Sequence, residues 1–388
     1  MSAARRWQDR MRATALLSAL WLPLAVLVLP LAPAAQTGEQ RALAEAPAVP
    51  RDLEALDAFP RAFEAWWGDH FGLRPWFLRL HSRVTIALFP DSQRLKRVVA
   101  GQQDWLFYGR DRAFRPARLR GPERERARDV LGRRAAWLAG RGIRYVVVVV
   151  PDKSTAYADQ LPAWARPDPV VPLDQLAKAV SGIENLDLVD LRPCLSEARA
   201  RERIYEVAGT HWNDRGALAA ARTILTAIGT RLPGVLPLAE RDVERFQAPE
   251  ERGRELAGML GLQDLYPRET LQARVMRPPP LVRTTDVLPS LPQRDPARQP
   301  FALEQDRPDL PRALVFRDSF CTRLAPFLAT GFRRSAYYWQ RAIDASAIDA
   351  ERPDVVLDIV VERNLRRLFE VAPVWEGGPA APEEQEAE

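Results

Sequence analysis

Tyr145-Val146-Val147-Val148-Val149-Val150 is the stretch that decides the fold. A β-branched run with no polar alternation is a strand covered on both faces, as strands are inside a parallel sheet. A helix is predicted ahead of it, from about Pro122 to Ala139, stopped by Gly140 and Gly142. The same alternation then repeats. A helix near Leu173–Val180 leads to a strand over Leu186–Leu191. A helix near Asp214–Ile228, a strand Ala313–Phe316, a helix after Ser319 and a strand Val355–Val361 follow. Such alternation predicts an α/β fold with a doubly wound, mostly parallel sheet. In these sheets, sites collect where strands end and helices begin.

Bulk properties exclude several function classes. The formal charge is +5, and Arg5, Arg6, Arg10 and Arg12 against Asp9 account for most of it. The remainder is close to neutral, so no nucleic-acid partner is expected. Two cysteines, Cys194 and Cys321, and three histidines give no metal-ligand spacing, and no metal is expected. A glycine-rich phosphate loop is missing as well, which argues against a nucleotide cofactor.

Residues 1–35 read as an export segment that stays as a signal anchor. Arginines precede an apolar run from Ala13 to Ala35, about 20 residues and long enough to span a bilayer. Ala32-Pro33-Ala34 offers the alternative, cleavage near Ala34. In both cases the rest of the chain works outside the cytoplasm. Residues 36–55 are rich in Ala, Pro and Glu and read as a linker. The folded domain is expected over 56–372, with a proline-dense insertion at 268–311. Residues 373–388 read as a disordered acidic tail.

Two short strings carry the chemistry: Gly209-Thr210-His211-Trp212-Asn213 and Arg317-Asp318-Ser319-Phe320. Ser319 follows a strand and precedes a helix, where free N–H groups favour a developing oxyanion, so it is the candidate nucleophile. His211, ahead of another helix, is the candidate base. Asp318 is placed to hold the turn, and Lys153 to support the site from the end of the polyvaline strand. Trp212 is the candidate for a wall against a sugar. His70 and His81 read as structural.

Six strings occur in order: Asp69-His70-Phe71-Gly72-Leu73-Arg74, Asp104-Trp105-Leu106-Phe107-Tyr108, Val150-Pro151-Asp152-Lys153-Ser154-Thr155, Thr210-His211-Trp212-Asn213, Arg317-Asp318-Ser319-Phe320 and Val361-Glu362-Arg363-Asn364-Leu365. With them the chain resembles the SGNH-hydrolase-like proteins of alginate O-acetylation, the AlgJ and AlgX group. The resemblance runs from about residue 55 to 370. It implies an SGNH-like fold in permuted order, with the His motif before the Ser motif. It also implies a periplasmic enzyme, anchored to the inner membrane, that acetylates a secreted polysaccharide. A multi-spanning membrane O-acyltransferase would hand over the acetyl group. Ser319 would be the nucleophile and His211 the base.

The family motif has an Asp two residues before the His, and here that position is Gly209. In extended chain, residues i and i+2 share a face, so an Asp there would orient the imidazole. Asp214 is the nearest substitute, although a carboxylate in the first turn of a helix ordinarily caps. Glu206 would face the opposite side of a regular strand. Two rivals stay open: an acetylesterase of the same fold, and a non-catalytic polysaccharide-binding subunit that has lost the acid.

Overall fold

The computed structural model describes residues 3–28, 43–89, 97–114, 118–165, 168–252, 254–266, 269–276, 281–287, 295–340 and 343–370. The strands, in order, are β1 (Val98–Ala100), β2 (Leu106–Tyr108), β3 (Arg144–Val150), β4 (Leu186–Asp190), β5 (Val243–Arg252) and β6 (Glu269–Val275). They continue with β7 (Val282–Thr284), β8 (Phe301–Glu304), β9 (Arg312–Phe316), β10 (Arg334–Tyr338) and β11 (Val355–Val361). The helices are α1 (Ala3–Val28), α2 (Leu53–His70), α3 (Arg74–Leu88), α4 (Gly121–Ala139), α5 (Lys153–Ala156) and α6 (Pro172–Val180). After them come α7 (Arg192–Arg201), α8 (Asp214–Gly229), α9 (Glu255–Met259), α10 (Cys321–Leu328), α11 (Ala345–Glu351) and α12 (Arg367–Glu370).

These residues fall into two compact units. The first takes the described residues up to Val98 together with those of 254–266. Its α2 is capped by Asp52, whose carboxylate accepts the Ala55 N–H, and α3 starts with Pro75 in its first turn. His70 Nδ1 lies 2.9 Å from the Trp66 carbonyl, and the two rings stack at 5.3 Å, a structural setting. The apolar N-terminal run enters α1. No helix among the described residues is long and apolar enough to cross a membrane. The expected cleavage position near Ala34, residues 36–42 of the linker and the tail 373–388 lie outside the described residues.

The second unit carries a seven-stranded mixed sheet in the order β4-β3-β11-β9-β10-β8-β7. Five strands, β4 to β10 in that order, run parallel, and β8 and β7 add an antiparallel edge. The polyvaline run explains itself here. Val146, Val148 and Val150 enter one core with residues of α8 and α10, whereas Tyr145, Val147 and Val149 enter the other with α4, α6 and α11. A strand buried on both faces has no place for polar alternation. The one acidic interruption in β11, Asp358, is satisfied inside: it accepts from Tyr145 Oη at 2.7 Å and from Arg134 at 3.1 Å.

The proline-dense stretch 268–311 is not one structureless connection. It contains β6, which pairs with β5, and the β7–β8 edge of the main sheet. The triple proline 278–280 and residues 288–294 lie outside the described residues. Prolines between these short strands hide them from a reading by composition, because each segment is only a few residues long.

Candidate active site

Three neighbouring parallel strands, β3, β11 and β9, end on one rim of the sheet, and each hands over residues of the candidate site. After β9, the turn Arg317-Asp318-Ser319-Phe320 is held by its own acid. Asp318 Oδ1 accepts the Phe320 N–H at 3.0 Å and Oδ2 accepts the Val361 N–H at 2.8 Å. Asp318 thus ties the serine turn to the end of β11. Burial raises its pKa, and the two amide donors and nearby Arg363 oppose that rise. The Cys321 N–H returns to the Asp318 carbonyl at 3.3 Å, which closes the turn and leaves Ser319 at the mouth of α10.

His211 arrives from elsewhere in the chain. Residues 204–213 form a tight hairpin between α7 and α8, with Tyr205 and Trp212 bridged antiparallel. The Asn213 N–H donates to the Ile204 carbonyl at 3.0 Å and the Glu206 N–H to the His211 carbonyl at 3.1 Å. Asn213 then caps α8, its side-chain oxygen accepting from the N–H groups of Arg215 and Gly216. Gly216 is required there: a Cβ would stand 2.5 Å from the Ile204 carbonyl oxygen.

The structure brings Ser319 and His211 together. Nε2 of His211 lies 2.9 Å from Ser319 Oγ, although 108 residues separate them. Thr210 Oγ1 lies 2.9 Å from Nδ1. With Nδ1 protonated, that nitrogen donates to Thr210 and Nε2 accepts from the serine hydroxyl. The ring of Phe320 packs on the imidazole at 4.7 Å between centroids.

Trp212, expected to line a substrate cleft, is wholly buried. Its indole N–H donates to the Phe320 carbonyl at 3.0 Å, and its ring meets Phe320 edge-on. Alternation in the hairpin is the cause: if His211 faces the serine, Trp212 faces the core. The carboxylate of Asp214, the nearest substitute acid, is engaged elsewhere: it accepts the Ala273 N–H of β6 at 2.9 Å and lies 3.5 Å from Arg323.

Lys153, at the end of β3, is fully buried and does not reach out to a ligand. Its three ammonium hydrogens go to the carbonyls of Leu106 at 2.5 Å, Val207 at 2.8 Å and Gly209 at 2.8 Å. Beneath the rim lies a charged cluster that the sequence reading did not assemble. Arg363, after β11, donates to Asp152 at 3.0 Å and sits 3.4 Å from Asp111. Arg112 pairs with Glu362 at 3.0 Å. Burial, then repulsion from Asp152, holds Asp111 well above the usual carboxylate range. The same two causes push Glu362 up to about 7. Asp152 and Arg363 stand in the quoted strings, but only the adjacent ends of β3 and β11 make them partners. A cleft of about 440 Å³ in the first unit, lined by Trp67, Phe71, Phe77 and their neighbours, includes none of these residues.

Known proteins resemble this chain. A family model described as the SGNH hydrolase-like domain of the acetyltransferase AlgX matches residues 98–290, a range that takes in Lys153 and His211. The chain is an AlgJ/AlgX-type SGNH hydrolase-like protein. A curated relative, the probable alginate O-acetylase AlgJ of Pseudomonas aeruginosa, is 26% identical over 246 residues, covering 60% of this chain and 56% of the relative. This AlgJ/AlgX-type chain thus spans little more than half the length of that relative. PatB1 of Bacillus cereus superposes with a TM-score of 0.53 at 14% identity, over 70% of this chain and 99% of PatB1, which shows a shared fold. The O-acetyltransferase domain of Pseudomonas putida AlgJ gives a TM-score of 0.48 at 19% identity, over 73% and 95% of the two chains.

Proposed function

We propose that this AlgJ/AlgX-type protein moves acetyl groups onto hydroxyls of a secreted, alginate-like polysaccharide through an acyl-Ser319 intermediate. The 2.9 Å contact between His211 Nε2 and Ser319 Oγ carries the reading. In the first half, Ser319 Oγ attacks the acetyl carbonyl while its proton passes to Nε2, and the imidazolium returns that proton to the leaving group. In the second half, Nε2 takes the proton of a sugar hydroxyl as that oxygen attacks the acyl-serine, and Ser319 Oγ leaves reprotonated. The amide of Ser319, ahead of α10, supplies a donor for the oxyanion.

The setting of the reaction belongs to the same proposal. The protein works in the periplasm, held at the inner membrane by residues 1–35, and receives acetyl groups from a multi-spanning membrane O-acyltransferase. The names of the family and of the curated relative support the acetyl transfer itself. Polymer acetylation in cells carrying Ser319→Ala is the test. Its loss is expected, and unchanged acetylation would refute the assignment.

One observation favours a second reading. Gly209 stands where the family motif has its acid, and a hydroxyl, that of Thr210, lies 2.9 Å from Nδ1, as suits a polysaccharide-binding subunit with weakened chemistry. Such a subunit would bind oligosaccharide and show no acetyl turnover, with or without acceptor.

A further inference from the structure

We propose that Glu206 is the positioning carboxylate of His211, standing in for the acid that Gly209 cannot provide. This rests on the acyl-transfer reading above. In a continuous strand, Glu206 would face away from residues 209 and 211. The chain instead doubles back between them. The bond from the Glu206 N–H to the His211 carbonyl, beside the Tyr205–Trp212 bridge, makes Glu206 and His211 directly opposite partners. Opposite partners in an antiparallel ladder put their side chains on the same face. Tyr205 and Trp212 take the core face, so Glu206 and His211 share the other.

The side chains bear this out. A Glu206 carboxylate oxygen lies within 4.8 Å of a His211 ring nitrogen. The Glu206 side chain is only 1% exposed, so little water screens it, and Arg323 of α10 holds it in an ion pair. Thr210 Oγ1 lies 2.9 Å from Nδ1. The Glu206 charge favours the Nδ1-protonated ring, whose Nε2 can accept the Ser319 proton, and it stabilises the imidazolium that results. The fixed turn above the pair comes from Lys153, which binds the Val207 and Gly209 carbonyls between the two partners.

The test uses the full-length chain, ¹⁵N-labelled at its three histidines, with nitrogen shifts of the His211 ring as readout. The wild type should show the Nδ1-protonated ring. Glu206→Gln should lose it in favour of a tautomer mixture and slow acylation of Ser319 by a small acetyl ester about 100-fold. Glu206→Asp should restore the wild-type ring in part. Arg323→Gln, which breaks the ion pair but keeps the carboxylate, should retain the Nδ1-protonated ring. A Glu206→Gln protein with an unaltered ring spectrum and acylation rate overturns the proposal. So does an Arg323→Gln protein that loses the tautomer as Glu206→Gln does, because packing alone would then account for the effect. The spectrum needs no turnover, so it judges Glu206 even if Ser319→Ala refutes acetyl transfer.

Discussion

The ammonium of Lys153 donates to the carbonyl of Gly209 at 2.8 Å, fastening the first residue of α5 to the turn that carries His211. Two more carbonyls, of Leu106 and Val207, complete its three bonds. Lys153→Met fills similar space but takes the ammonium donor from three carbonyls, of which Val207 keeps the Leu106 N–H. Unfolding in urea should show a loss of about 3 kcal/mol or more. Serine acylation should fall at least about tenfold at a temperature where the variant is folded, because the hairpin is no longer held.

Thr210→Val removes only the hydroxyl that meets Nδ1. A neutral hydrogen bond contributes about 1 kcal/mol, so the rate of Ser319 acylation should drop about fivefold with little change in melting temperature. Thr210→Ser should keep the wild-type rate. Burst kinetics with an acetyl ester measure both.

Burial of Trp212 turns a binding hypothesis into a stability prediction. Trp212→Phe loses volume and the N–H bond to the Phe320 carbonyl. It should destabilise the fold by about 2–4 kcal/mol while the KM for an oligosaccharide acceptor stays unchanged. A raised KM in the folded variant would return the indole to the substrate cleft.

Glu362 makes stability depend on pH. Burial and Asp152 push its carboxyl from 4.5 up to about 7. Between these values the folded chain keeps a proton that the unfolded chain has released, so the linked stability falls as pH rises through that window. By pH 7.5 the loss is about 3 kcal/mol relative to pH 4.5. Asp111, Asp152 and Asp318, all raised by burial, act in the same direction. Glu362→Gln should therefore show a smaller drop in melting temperature from pH 5 to pH 7.5 than the wild type. Equal drops would mean that Glu362 does not titrate in this range.

The parallel core was legible because its strands speak in one chemistry. Val146 to Val150 and Val355 to Val361 are apolar on both faces, and only a doubly covered sheet explains them. Strand β10 was not legible: Arg334 and Ser335 break its apolar pattern, and pairing with β9 and β8 is what makes Arg334–Tyr338 a strand. The nearness of Glu206 to His211 escaped for a related reason. Period-two alternation holds along one strand, and no Asn-Gly or Asp-Gly pair announced that the chain reverses near Gly209. That reversal is fixed by Lys153, more than fifty residues upstream, which no local pattern records. Trp212 was the candidate for a wall against a sugar, but neighbours in a strand point apart, so with His211 toward the serine the indole enters the core.

Strand β11 lies between β3 and β9, yet among the described residues only the short α12 and its approach follow it in the chain. Strand β11 is thus synthesised after both of the strands it separates. Until residue 361 has emerged, β3 and β9 each keep an open edge whose amides and carbonyls can zip to a foreign strand. Products truncated before Val355 should then be aggregation-prone, not partly active, and a holding chaperone would be needed until β11 is made. The order in which the polypeptide is made, as much as its final contacts, decides how much intact protein a cell obtains.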